Sequence, residues 1–215
     1  QGKSNNNGNS DGEAAVSLPI NQLLHEGQSL LVQVVKDPLG TKGARLTTSI
    51  SVPSRYLVYM PNSSMIGISV KIEEEEERER LRNLLTTCMA ENSTGGGCIV
   101  RTAADGVIDE ELNRDIKFLC TLWESLQKQA KTAKPGSVIH EDLPLAVRTL
   151  RDMVGNSTDV VKVDSRETYQ RLRKFAVKYI PDLPCEIEHY PGDRPLFDMY
   201  NIDDEIQKAL GRKVE

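Results

Sequence analysis

The sequence lacks the features that mark membrane proteins and zinc proteins. No apolar run approaches the ~20 residues that a membrane helix needs, and the N-terminus has no signal-peptide pattern. The four cysteines form no C-x-x-C pair, and the three histidines lie far apart in the sequence. We therefore expect a soluble, cytoplasmic protein without membrane contact, in which the cysteines are reduced, buried residues and no zinc site lies within this chain.

The sequence also lacks a basic surplus and the common catalytic motifs. The net charge is -5, which argues against a protein that coats nucleic acid by charge alone, so that any such contact must be local. No G-x-S-x-G, P-loop, H-E-x-x-H or G-x-G-x-x-G motif is present, and no nucleophile is visible. The adjacent acids Asp203 and Asp204 start a predicted helix, where the helix dipole explains them better than a metal ion does.

The order of the predicted elements indicates a mixed α+β protein. Residues 1–15 are rich in Asn, Gly and Ser and predict a flexible tail or loop. Two β-branched runs around "PLGTKG" predict a hairpin, and "YLVYMP", "GISVKI" and "CIVRTA" predict further strands. Apolar residues from Leu112 to Ala130 recur at helical spacing, with Asp109 as the expected cap.

Two more regions have a clear period. The acidic run before Leu81 predicts a helix with i,i+4 ion pairs that join Glu74 to Arg78 and Glu76 to Arg80. Beyond Gly136 helices and strands alternate, which is typical of an α/β layer. Within that layer Ser165 or Asp164 is the expected cap of a helix that Pro181 ends.

The stretch "GGGCIVRTAADG", residues 95–106, predicts an anion site. Its strand delivers Arg101 and Thr102 side by side into a turn, and a guanidinium with a neighbouring hydroxyl can bind a phosphate. Glycines at both ends of the stretch would let the loops close on a ligand. The alternative from the residues alone is that Arg101 pairs with a nearby carboxylate such as Asp105.

The hairpin turn is a second candidate site. Lys36, Lys42 and Arg45 place three cations around one glycine-containing turn, which suits contact with an RNA backbone. Surface lysines are common, so ordinary solvated charge is the alternative.

Seven stretches in one order resemble the ribonuclease E/G family, and within it the ribonuclease G branch. They are "VQVVKDPLGTKGARLTT", "PSRYLVYMP", "EEERERL", "VRTAADG", "KVDSRETY", "EHYPGDRPLFD" and "DEIQKALGRKVE". The resemblance implies that residues 16–48 are the C-terminal part of an S1-type OB barrel and residues 49–146 a 5′ sensor domain. It further implies that residues 147–210 belong to a ribonuclease H-like subdomain and that residues 211–215 start a DNase I-like catalytic subdomain missing from this chain.

The resemblance also assigns site residues. Arg101 and Thr102 match the family pair that binds the 5′ monophosphate of RNA, and Ser54 and Val58 match the other wall of that pocket. Ser54 departs from the glycine found there in the ribonuclease E branch, and its side chain would crowd a close approach. Lys42 matches a lysine of the S1 domain that contacts single-stranded RNA.

The resemblance implies cofactors and partners for the full-length protein only. Mg²⁺ bound by paired aspartates and Zn²⁺ shared between subunits belong to parts of the family that are missing here, so this chain is expected to bind neither. We expect single-stranded RNA with a 5′ monophosphate as the partner, homo-oligomers of the full-length protein, and no binding to DNA.

Three functional hypotheses follow. The first is the N-terminal, RNA-binding and 5′-sensing portion of a Mg²⁺-dependent endoribonuclease, itself inactive because the catalytic aspartates are absent. The second is a stand-alone module that binds RNA ends without hydrolysis. The third is a purely structural piece in which Arg101 is ion-paired and the hairpin only packs.

Overall fold

The computed structural model describes residues 19–92, 95–155 and 157–213. The predicted flexible segment, residues 1–15, lies outside the described residues. Among the described residues, those from 19 to 31 belong to one compact unit and those from 32 onward to another. In the first unit the described element is a short helix, α1 (Ile20–Leu23), and the side chain of Gln28 accepts the N–H of His25 at 3.1 Å.

The second unit begins with the predicted hairpin. Its strands are β1 (Gln33–Lys36) and β2 (Arg45–Thr47), which pair antiparallel. The Gln33 side chain accepts the Ser51 N–H at 2.9 Å and donates to the Ser51 carbonyl at 3.0 Å, so the hairpin is fastened to the chain that follows. These two strands form a sheet of their own, and no closed barrel occurs among the described residues. The partial S1 barrel therefore stays a prediction.

A four-stranded mixed sheet forms the centre of this unit. Its strands are β3 (Val52–Pro53), β4 (Leu57–Met60), β5 (Ile66–Ile68) and β6 (Gly97–Val100), in the order β3-β4-β6-β5. β6 runs antiparallel to β4 and parallel to β5. The parallel pair needs a crossover connection, and helix α2 (Glu75–Glu91) supplies it.

Helix α2 and the long helix α3 (Asp109–Thr132) cover this sheet with their apolar faces. Both were predicted, but two details were wrong. The ion pairs at the start of α2 have i,i+3 spacing, since Arg78 pairs with Glu75 and Arg80 with Glu77. Asp109 is the first residue of α3, whose cap is Ile108.

The C-terminal region is the predicted alternation of helix and strand. It comprises α4 (Leu145–Met153), β7 (Val160–Val163), α5 (Arg166–Tyr179), β8 (Glu186–His189), α6 (Leu196–Met199) and α7 (Ile202–Ala209). β7 and β8 pair in parallel, and the Ser165 hydroxyl caps α5 by accepting the Thr168 N–H at 3.2 Å. A second apolar cluster, centred on Val147, Leu150 and Leu172, holds this layer together.

The two apolar clusters meet at Leu143 and Phe175, which pack against both. Phe118 of α3 stacks against Phe175 and Tyr179 of α5, with ring centroids 6.1 and 6.0 Å away. The predicted limits at residues 48 and 146 remain predictions, because the described chain from residue 32 onward is one compact unit.

Candidate functional site

Arg101 and Thr102 lie where the chain leaves the central sheet. β6 ends at the fully buried Val100, and a short 3₁₀ turn, Thr102–Ala104, follows. The backbone N–H of Arg101 donates to the Tyr56 carbonyl at 2.8 Å, and the Ala104 N–H donates to the Arg101 carbonyl at 3.0 Å. Arg101 and Thr102 are both exposed, so their side chains stand together at the edge of the sheet.

The Arg101 guanidinium is anchored by a carbonyl group. Nη1 donates to the Ser54 carbonyl oxygen at 2.7 Å. Across the described part of the chain Arg101 has no carboxylate within ion-pair distance, and the proposed pair with Asp105 is not formed. Because arginine has five N–H donors, this anchor leaves most of the fork to face solvent.

Thr102 has a hydroxyl neighbour that the sequence did not reveal. The Thr102 and Ser69 hydroxyl oxygens lie 3.0 Å apart, and Ser69 Oγ also accepts the Lys71 N–H at 3.3 Å. Ser69 reaches this position because β5 runs parallel to β6 with Ile68 opposite Val100, so both strands end at the same edge. Only the parallel pairing of "GIS" with "CIV" would have indicated this neighbour, and that pairing cannot be predicted from the sequence alone.

Ser54 contributes its backbone to the site. Its side chain is fully buried, and its hydroxyl lies 2.6 Å from Asp115 Oδ2 and 3.1 Å from the Leu57 carbonyl. Arg101 bonds the Ser54 carbonyl oxygen, and the expected crowding by the serine side chain stays a prediction. Val58 is half-buried in β4 opposite Pro53 and Ile99, and its assignment to the pocket stays a prediction.

The loop after Thr102 is tied to helix α2. Glu77 accepts two bonds of 2.7 Å from Arg80 and one of 3.1 Å from the Gly106 N–H. Arg80 also donates to the Val107 carbonyl and to Asp109, both at 2.9 Å. The bonds from Arg80 lower the pKa of Glu77. This network fixes the end of the site loop.

Gly96 and Gly97, at the start of β6, have a different role from the one we expected. A Cβ on Gly97 would collide with the Met65 carbonyl, and Gly96 has a φ of +100°, which disfavours other residues. They lie at the opposite end of β6 from Arg101, roughly 13 Å away. They permit close strand packing at that end of the sheet and do not border the site.

The three hairpin cations, Lys36, Lys42 and Arg45, lie on the two strands and the turn of the hairpin, and their role in RNA binding stays a prediction. Lys36 and Arg45 are register partners across β1 and β2, and Lys42 forms a bridge with Leu39 within the turn. All three side chains are exposed, and none is ion-paired with a carboxylate in the described segments. Their charge is therefore available to a polyanion.

The comparisons with known proteins decide the family. The model of the ribonuclease E/G family matches residues 51–215. The chain belongs to the ribonuclease E/G family. It is 48% identical over 196 residues to ribonuclease G of Salmonella typhimurium and 47% identical over 196 residues to ribonuclease G of Escherichia coli K12. It is also 33% identical over 199 residues to ribonuclease E of a Nostoc species.

The chain is shorter than these family members. Each match covers 91% of this chain, but only 40% of either ribonuclease G and 28% of the Nostoc ribonuclease E. The alignment is consistent with the N-terminal portion of a ribonuclease G-type protein.

The described residues contain no evident cluster of metal ligands. In residues 19–92, 95–155 and 157–213 no group of three or more His, Cys, Asp or Glu side chains could hold a metal ion. Asp203 and Asp204 lie in the first turn of α7 as predicted, where Lys208 pairs with Glu205.

No helix among the described residues is both long enough and apolar enough to cross a membrane.

Proposed function

We propose that this chain is the RNA-binding and 5′-end-sensing portion of an endoribonuclease that cleaves single-stranded RNA. The resemblance connects such enzymes to rRNA maturation and mRNA decay. We place the protein in the cytoplasm, since Cys88, Cys98 and Cys185 are not joined in disulfides among the described residues. Hydrolysis is assigned to a further subdomain of the full-length protein, where acidic side chains would bind Mg²⁺ and the protein would assemble into homo-oligomers.

The observation that carries this proposal is the state of Arg101. Its guanidinium is fixed by one bond to the Ser54 carbonyl, it has no described carboxylate partner, and it stands beside the exposed Thr102. A structural arginine would be expected to pair with a carboxylate. An arginine held in place with most of its donors free is suited to bind an external anion.

A 5′ monophosphate is the anion that this geometry favours. It carries about -1.5 to -2 charges near neutral pH and three terminal oxygens. An internal phosphodiester has a single charge and fewer free oxygens, so a fork of donors with a neighbouring hydroxyl binds it less tightly. The site would therefore favour RNA that carries a 5′ phosphate over RNA that ends in a hydroxyl.

The hairpin cations supply contacts that do not depend on the RNA end. Lys36, Lys42 and Arg45 are exposed and lack described acidic partners, so they can neutralise backbone phosphates. Such contacts raise affinity for any single strand. Selectivity for the 5′ end then depends on Arg101 and Thr102 alone.

The test compares two RNAs of one sequence that differ only at the 5′ end. Fluorescence anisotropy with a 3′ label would give the Kd of the chain for the 5′-monophosphate and the 5′-hydroxyl oligonucleotide at one fixed salt concentration. We expect tighter binding of the monophosphate form. Equal affinity for both RNAs would contradict the sensor function, whereas binding of neither would contradict the RNA-binding role as a whole.

A further inference from the structure

Asp115 is a buried carboxylate whose environment could not be predicted from the sequence. It lies on α3 and is only 7% exposed, and it accepts two hydrogen bonds on Oδ2. The Ser54 hydroxyl lies at 2.6 Å and the Tyr56 N–H at 2.9 Å. Burial raises the pKa of Asp115, which shows that keeping this carboxylate charged is costly.

The two residues that Asp115 holds are the same two that hold Arg101. Ser54 binds Asp115 through its hydroxyl and Arg101 through its carbonyl oxygen, at 2.7 Å. Tyr56 binds Asp115 through its N–H and accepts the Arg101 N–H through its carbonyl, at 2.8 Å. The segment from Ser54 to Tyr56 is thus clamped between Asp115 and Arg101.

A third contact, from helix α4, fixes Pro53, the residue directly before this segment. Arg151 Nη1 donates to the Pro53 carbonyl at 3.2 Å, and Asp152 holds the Arg151 guanidinium through bonds of 2.5 and 2.9 Å. Arg151 also favours the charged form of Asp115 through its positive charge. The Ser54 carbonyl, which anchors Arg101, therefore lies in a stretch of chain held both by Asp115 and by Arg151.

Fixing this segment matters for binding because a free arginine loses side-chain entropy when it grips a ligand. Prior ordering of the side chain removes part of that loss. We propose that Asp115 is a positioning residue for the 5′-phosphate site, which holds Ser54 so that its carbonyl keeps Arg101 in the binding orientation. This assignment rests on the proposed function.

The test uses the ratio of the two Kd values, for 5′-hydroxyl over 5′-monophosphate RNA, as its readout. In Asp115→Asn the amide oxygen can accept the same bonds, but as a neutral and weaker acceptor, and we expect the ratio to fall by about threefold to tenfold. Asp115→Ala removes both bonds and should lower the ratio at least as far. Affinity for the 5′-hydroxyl RNA, which does not use Arg101 in this way, should change little.

A matched control separates positioning from loss of stability. Leu126 lies on the same helix and is 6% exposed, about 16 Å along α3 from Asp115. Leu126→Ala should lower the melting temperature by creating a cavity, yet leave the ratio unchanged. If Leu126→Ala lowers the ratio as much as Asp115→Asn does, Asp115 has no specific positioning role.

The double variant Arg101→Gln with Asp115→Asn tests the route of the effect. If Asp115 acts through Arg101, adding Asp115→Asn to Arg101→Gln should not change the ratio further. A wild-type ratio of one would refute the proposed function and this assignment with it. If the wild-type preference for 5′-monophosphate RNA is unchanged in Asp115→Asn, the positioning role of Asp115 is wrong while the proposed function stands. Asp115→Asn keeps this test possible even if Asp115→Ala fails to fold.

Discussion

Replacing Arg101 by glutamine tests the central feature of the site. The substitution removes the charge and the planar fork and leaves a shorter, neutral polar side chain. In the structure Arg101 Nη1 donates one hydrogen bond to the Ser54 carbonyl, and Arg101 has no acidic partner among the described residues. Its removal therefore leaves no described carboxylate without its cation, and the main loss should be in binding rather than in folding.

The expected magnitude follows from the contacts that are lost. Hydrogen bonds to a charged group contribute about 1.5–3 kcal/mol, and the exposure of the site argues for a range of roughly 1–3 kcal/mol. At 1.4 kcal/mol per factor of ten, the Kd for 5′-monophosphate RNA should rise about 5- to 150-fold. Arg101→Lys, which keeps the charge but loses the fork, should give a smaller rise.

The assay is the same anisotropy titration, run beside thermal melting. Affinity for 5′-hydroxyl RNA should hardly change, because it depends on the hairpin cations. Arg166→Gln is a matched control, since it removes one exposed arginine from the start of α5, outside the site, and should leave the preference intact. If Arg101→Gln instead lowers the melting temperature while wild-type protein binds both RNAs alike, Arg101 is structural and the sensor reasoning fails.

Three further predictions concern the hairpin, the site loop and catalysis. Lys42→Ala should weaken binding of both RNAs alike and reduce the slope of log K against log salt by about 0.7, measured by titration at several salt concentrations. Glu77→Gln should lower the free energy of unfolding by about 1 kcal/mol at pH 7. Arg80 lowers the folded-state pKa of Glu77 below the unfolded value of about 4.3. The stability from this pair is therefore fully present above the unfolded pKa and is lost as the pH falls through the lowered folded-state pKa. Chemical denaturation should show a smaller difference in unfolding free energy between wild type and Glu77→Gln in that acidic range than at pH 7. The chain with Mg²⁺ should leave 5′-monophosphate RNA intact on a gel, since no metal-binding cluster lies among its described residues, and cleavage by a nuclease-free preparation would contradict this.

The elements of this fold that depend on local pattern could be predicted from the sequence. The apolar period of α3, the turn residues of the hairpin and the alternation of helix and strand after Gly136 each act over a few residues. Arg101 and Thr102 were likewise identified because they are adjacent in the chain. The structure places both residues, exposed, where the chain leaves β6, and their role in binding stays a prediction.

The partners of these residues depend on contacts that local pattern does not encode. Ser69 meets Thr102 only because a helical crossover brings β5 alongside β6, and Ser54 meets Arg101 across 47 residues of chain. The spacing of the α2 ion pairs was wrong for the same reason. Arg80 donates to the Val107 carbonyl and to Asp109, which lie far along the chain, and in this arrangement it pairs with Glu77 rather than Glu76.

The net charge of -5 sets a condition on how such a protein can hold RNA. Long-range attraction is weak for an acidic chain, and the Debye length of about 8 Å at physiological salt shortens it further. Affinity must then come from cations that form no ion pair among the described residues, such as the three of the hairpin and Arg101. Salt weakens the hairpin contacts for both RNAs equally, whereas the fork geometry at Arg101 adds a short-range difference between them. Raising the salt should therefore lower both affinities while the preference for the 5′ monophosphate declines more slowly than either.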